Sequence, residues 1–345
     1  GSEMCIRDRY RKSNKFYIMG KIKRIGVLTS GGDAPGMNAA IRAVVRSAIF
    51  YGCEAYGIYG GYQGLINGDI KRLRSQDVSN IIQRGGTILK SARSTEFRTE
   101  EGRAKAAAKL AEHKIDALVV IGGDGSFSGA RLLIQEHDIP VVGIPGTIDN
   151  DLYGTDSTIG YDTAVNTAVE AVDKIKDTAS AHNRLFFVEV MGRDAGFIAL
   201  RVAIATGAEA VLVPEIDTDI TDLEHFLEKD YDPKQSSGIV IVAEGDKAGG
   251  AYNVAQKVGE AHPEYDIRVS VLGHMQRGGS PSAFDRVLAS QLGVAAVDAL
   301  MDDQKSIMVG IMNKEIVHVP FNKTIKNSKG LNPELLNLVK ILSNR

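Results

Sequence analysis

Pro140-Val141-Val142-Gly143-Ile144 runs straight into Pro145-Gly146-Thr147-Ile148-Asp149-Asn150-Asp151. The apolar run is short and flanked by prolines, the pattern of a buried parallel strand. It ends in two carboxylates one residue apart, which at close quarters repel and perturb each other's proton affinity. A solvated turn is the plain alternative, but a turn needs a single Asp or Asn, not Asp-Asn-Asp after Gly-Thr. The sharper reading is a catalytic base beside a metal or phosphate site.

Two more apolar runs end in the same way. Ala117-Leu118-Val119-Val120-Ile121 leads into Gly122-Gly123-Asp124-Gly125-Ser126, and Ile25-Gly26-Val27-Leu28-Thr29-Ser30 leads into Gly31-Gly32-Asp33-Ala34-Pro35-Gly36. Glycines after a strand let the backbone approach a ligand, and successive N–H groups then cradle phosphate. One such loop often marks only a tight connection. Three together, two of them carrying an Asp where Mg²⁺ could be held, point to phosphoryl transfer.

From Lys21 onward short apolar runs alternate with helical periods, which means βα units and parallel sheets. The periodicity predicts helices over about 37–50, 100–113, 128–137, 161–178 and 288–300. In the first, Ile41, Val44, Val45 and Ala48 share a face; in the fourth, Val165, Ala168, Val169, Val172 and Ile175 do. Later strands are predicted at 185–190, 210–213, 239–242 and 307–311. Strand endings fall into two sets, one leading to the glycine–aspartate loops and one to Met191-Gly192-Arg193 and Ala243-Glu244-Gly245. Open α/β sheets bind ligands at the carboxyl ends of their strands, so the ends of two sheets facing each other would form one cleft.

The chain has 345 residues, enough for two domains. Its 41 Lys and Arg against 43 Asp and Glu leave a net charge of −2, which gives no reason to invoke nucleic acid or an anionic membrane. No apolar run approaches the twenty or so residues of a bilayer span. Cys5 and Cys53 form no disulfide framework or metal cluster, and Cys53 reads as a packed thiol. The expectation is a cytoplasmic α/β protein. Residues 1–20 are polar and basic, without periodicity or a signal-peptide core, and read as an extension outside the fold, with Met19 as a natural start. A basic interaction arm is the other reading.

Arginines near strand ends, Arg184, Arg193, Arg268 and Arg277, suit an anionic substrate, although any single one is more often a surface residue. Arg277 stands out, because Gly278 and Gly279 beside it allow close approach. His274 alone is more often structural. Glu244 closes a very apolar strand, where it either bonds sugar hydroxyls or belongs to a buried ion pair. Arg42 and Arg46, one helical turn apart, form a solvated face or a second anion site. P-loop, protein-kinase and dinucleotide fingerprints are all missing.

Thr29 to Asn38, Ile121 to Ser126, Pro145 to Asp151, Met191-Gly192-Arg193 and His274-Met275-Gln276-Arg277-Gly278-Gly279-Ser280-Pro281 together resemble the bacterial ATP-dependent 6-phosphofructokinases, in order, over about Lys21 to Pro320. The resemblance implies two similar three-layer α/β/α domains with largely parallel sheets and the active site between them. Residues 21–159 with 275–325 would bind ATP, and 160–274 with 326–345 would bind fructose 6-phosphate. It implies Asp149 as general base, with Thr147 and Arg193 also catalytic, and Asp124 as the Mg²⁺ aspartate supported by Asp151. Gly32, Arg93, Ser94, Gly123, Asp124, Gly125 and Ser126 match ATP contacts. Thr147, Ile148, Asp149, Met191, Gly192, Arg193, Glu244, His274, Met275, Gln276 and Arg277 match sugar-phosphate contacts. Arg184 and Arg268 match arginines contributed by a neighbouring subunit, which implies a homotetramer.

Pyrophosphate-dependent relatives typically carry Asp at the position of Gly125 and Lys at that of Gly146, so glycine at both favours ATP. A pyrophosphate-dependent enzyme and a non-catalytic nucleotide-sensing paralogue are the alternatives. Effector residues would be Arg42, Arg46, Lys176, Gly207 and Glu209. Here the match is poorer: Ser75 and Lys176 stand where arginines are expected, and Gln235-Ser236-Ser237 where a basic stretch is expected. The expectation is weakened or altered allosteric regulation.

Overall fold

The computed structural model describes residues 22–180, 184–216 and 238–343. The leader with Cys5 and Met19, and the segment Gln235-Ser236-Ser237, lie outside the described residues.

The first half runs β1 (Arg24–Thr29), α1 (Met37–Phe50), β2 (Glu54–Ile58), α2 (Gly61–Asn67), β3 (Ile70–Leu73), α3 (Glu100–Glu112), β4 (Ala117–Gly122), α4 (Asp124–His137) and β5 (Val141–Pro145). Then follow α5 (Tyr161–Ser180), β6 (Leu185–Val190), α6 (Phe197–Thr206), β7 (Ala210–Leu212), β8 (Gly238–Ala243), α7 (Gly250–Ala261) and β9 (Ile267–Val271). The chain closes with α8 (Ala283–Met301), β10 (Ile307–Met312), β11 (Glu315–Pro320), α9 (Phe321–Lys326) and α10 (Pro333–Ser343).

These strands form two sheets. One has the order β11-β10-β5-β4-β1-β2-β3 and the other β7-β8-β6-β9. The second sheet is wholly parallel, and the first is parallel except at its edges, β3 and β11. Because each inner strand is covered on both faces, its side chains are apolar on both, as in β4, where every residue is buried. Alternate residues divide between two cores: Val119 and Ile121 face α1 and α8, whereas Leu118 and Val120 face the layer of α3, α4 and α9. The second sheet is layered the same way, with Val188 and Ile241 on one side and Phe187 and Val240 against α7 on the other. One side of each sheet joins a single continuous core that includes Ala168 and Val172 of α5 and Leu292 of α8. The two halves are thus welded behind the cleft.

Register then places the loops. Gly122 pairs with Pro145 and Thr29 with Ile121, so β1, β4 and β5 end level. Val190 pairs with Ala243 and Glu189 with Val271, so β6, β8 and β9 also end level. Cys53 is a buried thiol, as its place predicted, and burial pushes its pKa up.

The predicted helices are all present. The third begins at Asp124, not near 128, so the Gly-Gly-Asp-Gly-Ser stretch contains the first turn of a helix and is not only loop. The helix near 288–300 begins at Ala283, capped by Ser282, whose hydroxyl accepts from the Asp285 N–H at 3.2 Å.

Candidate active site

The level ends of β1, β4 and β5 build one wall. Gly31, Gly32 and Asp33 face Thr87, Ser91, Ala92 and Arg93 across a cavity of about 370 Å³. The Ser91 hydroxyl donates to the Gly31 carbonyl, which closes one end. Ser94 is turned away from the cavity: its hydroxyl donates to Gln63 Oε1 (2.8 Å) and accepts from the Phe97 N–H (3.1 Å), holding the Arg93 loop in place. Gly123 is the N-cap of α4, Asp124 and Gly125 lie exposed on its first turn, and Ser126 is buried beneath them. The N–H groups at the start of a helix favour an anion; here the Ser126 N–H already donates to the Gly123 carbonyl at 3.0 Å.

The two glycines of the donor argument differ in their surroundings. A Cβ on Gly125 would meet nothing within 4 Å. A Cβ on Gly146 would lie 2.8 Å from Ile121 Cγ2 and 3.2 Å from Met37 Cε. Glycine at 146 is therefore demanded by packing, and its bearing on donor choice is correspondingly weaker than the sequence implied.

Asp149 is buried, at 7% exposure, and its Oδ1 has no hydrogen-bond partner. The Thr147 hydroxyl accepts from the Asp149 N–H at 3.2 Å. Thr158 braces the loop: its hydroxyl donates to the Thr147 carbonyl (2.6 Å) and its N–H to Asn150 Oδ1 (3.0 Å). Asn150 itself is left-handed, with φ 55°, a conformation Asn tolerates better than most residues. Burial raises the Asp149 pKa against the opposing pull of Arg277 and the Thr147 hydrogen bond; Glu244 adds to the rise and Arg193 opposes it. Asp151 is pushed up to about 6, first by burial and then by Asp149 and Asp124. The repulsion expected from Asp-Asn-Asp is present, but desolvation is the larger cause. Ile148 is wholly buried in the core, so its side chain does not face the cleft.

The level ends of β6, β8 and β9 build the opposite wall. Glu244 is exposed and not part of a buried pair; its Oε1 accepts from the Arg193 N–H (2.6 Å) and the Gly192 N–H (3.4 Å). That grip holds Arg193 at φ 56°, an uncommon backbone state for a non-glycine residue. Gln276 is fully buried: its Oε1 accepts from the Met191 N–H at 2.8 Å, and its Nε2 has no partner. Gln276 therefore positions Met191, itself buried, and presents no group to open space. His274 and Met275 are exposed beside it. Arg277 crosses to the other wall, donating from Nη1 to the Asp33 carbonyl at 3.2 Å, close enough to Gly32 that a Cβ there would lie 2.7 Å away.

Arg184 and Arg268 are not brought to this cleft. Both sit at the amino ends of their strands and share Asp266, at 2.8 and 2.7 Å. At about 3.3 Å per residue, the length of β6 puts them roughly 20 Å from the Met191 loop. The effector candidates are also spread out. Arg42 and Arg46 lie on α1 of the first half, where burial and mutual repulsion lower the Arg42 pKa and Arg46 Nε is buried without a partner. In the second half, Lys176 donates to the Thr206 and Gly207 carbonyls, Gly207 caps α6, and Glu209 accepts from the Ile239 N–H at 2.6 Å. Ser75 is exposed, and neighbouring Arg74 pairs with Asp77.

Among the described residues no three His, Cys, Asp or Glu side chains gather into a metal-binding group. Asp149 and Asp124 nonetheless both raise the pKa of Asp151, and Asp149 Oδ1 is unsatisfied. That gathering of carboxylates fits Mg²⁺, which commonly takes one or two carboxylates, substrate phosphates and water. Thr87, Ser91 and Ala92 went unnoticed in the sequence; the Gly85-Gly86-Thr87 run was the available signal.

The comparisons with known proteins agree with this geometry. A family model described as phosphofructokinase matches residues 24–300. The chain is 60% identical over 325 residues to ATP-dependent 6-phosphofructokinase 2 of Bacteroides thetaiotaomicron, covering 94% of this chain and 100% of that one. It is 57% identical over 322 residues to ATP-dependent 6-phosphofructokinase 1 of Thermus thermophilus, covering 93% and 100%. The solved structure of phosphofructokinase from Saccharomyces cerevisiae superposes with a TM-score of 0.82 at 38% identity, over 93% of this chain and 47% of that longer one. Two layered sheets, with Arg193, Glu244 and Arg277 within electrostatic reach of Asp149, and relatives matched end to end give one conclusion: the chain belongs to the phosphofructokinase family.

Proposed function

We propose that this chain transfers the γ-phosphoryl group of ATP to the 1-hydroxyl of fructose 6-phosphate, giving fructose 1,6-bisphosphate and ADP, with Asp149 as the base. The activity is that of an ATP-using 6-phosphofructokinase, the enzyme named in relatives of 60%, 57% and 54% identity. One observation carries the residue assignment: a buried carboxylate, Asp149, with an unsatisfied oxygen, under the direct electrostatic influence of Arg277, Glu244 and Arg193 from the facing wall.

Asp149 takes the proton of the attacking hydroxyl, whose oxygen bonds to the γ-phosphorus while the bond to the β,γ-bridging oxygen breaks and ADP leaves with that electron pair. A base with a pKa raised by burial is better matched to an alcohol than an ordinary carboxylate. Thr147, held by Thr158, keeps the Asp149 backbone in place. The first turn of α4, from Gly123 to Ser126, with Gly32 and Arg93, receives the ATP phosphates and nucleoside. Mg²⁺ held at Asp124 would offset charge on the β- and γ-phosphate oxygens. Arg193 and Arg277 neutralise charge on the transferring group, and Glu244 and His274 face the sugar phosphate. Positioning and charge do most of this chemistry.

In this reading residues 21–159 with 275–325 form the ATP half and 160–274 with 326–345 the sugar half. The membership of the two sheets and the packing of α10 on α6 and β7 support the division. Arg184 and Arg268, far from their own cleft, would serve the cleft of a neighbouring copy in a homotetramer. The enzyme would act in the cytoplasm. A coupled assay with fructose 6-phosphate and Mg²⁺, offering ATP or pyrophosphate in turn, tests the reading. Turnover with pyrophosphate alone, or with neither donor, would refute it.

A further inference from the structure

The chain crosses between the halves a last time at residues 327–332, leaving α9, which packs on α4 and β11, for α10, which packs on α6 and β7. At that crossing Ser328 forms an antiparallel bridge with Leu152, one residue beyond Asp151. Lys329 then turns inward. Its Nζ donates to the Asp156 carbonyl at 2.9 Å and stands 5.1 Å from the centroid of the Phe197 ring. A surface lysine ordinarily lays down its stem and leaves its head in water. Here the head is spent on a carbonyl and a ring face, and burial lowers its pKa to about 8 despite the attraction of Asp156 and Asp151.

Both partners lead to the active site. The Asp156 carbonyl also accepts from Asn150 Nδ2, at 3.4 Å, and Asn150 is the residue between Asp149 and Asp151. Phe197 is the first residue of α6, immediately after the Met191–Gly196 loop, and its carbonyl accepts from the Tyr161 hydroxyl at 3.1 Å. One ammonium therefore touches the support of the carboxylate loop and the root of the facing loop.

We propose that Lys329 is a positioning residue of the phosphoryl-transfer site: it ties the back of the Asp149–Asp151 loop to the amino end of α6 and so sets the distance between the two walls. The inference rests on the assignment of Asp149 as base. Catalysis depends steeply on such placement, since misplacement by an ångström can cost about a hundredfold. The ATP cavity, formed by Gly31 to Asp33 and Thr87 to Arg93, belongs to other loops and should not respond.

The test compares the full-length enzyme with Lys329→Met, which keeps the stem and loses the charge and donor, and Lys329→Arg, which restores both. Lys329→Met should lower kcat about tenfold while the KM for ATP stays within about twofold, and Lys329→Arg should recover to within about threefold of wild type. Backbone amide exchange over Asp149–Asp151 should quicken in the Met variant and not in the Arg variant. A Met variant with kcat within twofold of wild type, an Arg variant as slow as Met, or an ATP KM that rises in step with the fall in kcat would overturn the proposal. A wild-type enzyme without fructose 6-phosphate kinase activity would sink the assignment of function itself, and this inference with it; a normal wild type with an unimpaired Met variant would sink the inference alone.

Discussion

Asp149→Asn separates chemistry from architecture. The substitution keeps the shape of a side chain that is 7% exposed and has one unpartnered oxygen, and it removes the ability to accept a proton. Loss of a general base typically costs 10²–10⁴ in rate, so the barrier should rise by about 3–5 kcal/mol. Stability should move the other way. Burial raises the Asp149 pKa even against Arg277 and Thr147, so the ionised carboxylate is a net burden on the folded protein near neutral pH. A neutral amide relieves part of that burden, and the melting temperature should hold or rise, by up to about 2 °C. The KM for ATP should change less than about threefold, because the cavity proposed to receive ATP is built by other loops. A coupled steady-state assay at saturating substrates and a thermal melt read both effects. Turnover above about a tenth of wild type would place the base elsewhere. A clear fall in melting temperature would mean that Asp149 stabilises the loop rather than serving as a strained catalytic group.

Four further outcomes follow from particular residues. Asp151, raised to about 6, holds its proton longer when folded, so it favours the folded state at low pH and that contribution is lost as pH rises from about 4 through 6. Asp151→Asn should shrink the fall in stability across that window by up to about 3 kcal/mol in urea titrations without substrate; an unchanged profile would refute the linkage. Gly125→Asp has room for its side chain, so it should leave the melting temperature intact. Its charge beside the ATP phosphates should cut kcat/KM for ATP by about 5- to 1,000-fold, from a repulsion of about 1–4 kcal/mol at about 4 Å. Gly146→Lys should instead lower the melting temperature, because its Cβ meets Ile121; equal thermal effects of the two changes would contradict the packing. Mixing inactive Asp149→Asn with inactive Arg268→Ala subunits should restore activity if Arg268 serves a neighbour's cleft, and proven subunit exchange without rescue would place the whole site in one chain.

Some elements were legible because local signals agreed with their final environment. β4 and β5 read as strands from short apolar runs, and α1 and α5 from a stripe at helical spacing, since burial on both faces or on one face writes those patterns directly. α2 was missed because Gly60, Gly61, Gly64 and Gly68 crowd a seven-residue helix and mimic a loop. α6 was missed because it is apolar nearly all round, so it carries no stripe. α4 was begun four residues late for a related reason: its first turn is glycine-rich and reads as loop.

The site divides in the same way. Asp149, Asp124, Arg193 and Glu244 were marked as candidates by residue type near a strand end, and Arg277 by the glycines beside it, local properties that need no coordinates. The chain alone could also exclude a P-loop and prefer ATP through Gly125. It could not say that Gln276 is buried beneath Met191, that Gly146 is held by packing, that Ser94 turns away, or that Arg184 and Arg268 point to the far end of their sheet. Nor could it find Lys329, which follows Asp151 by 178 residues and meets the support of the Asp149–Asp151 loop only because β10, β11 and α9 return the chain behind it. Strand endings and helical stripes are written in neighbouring residues. Register, burial and contacts between distant segments come from how two sheets close on a common core, and only the folded chain decides them.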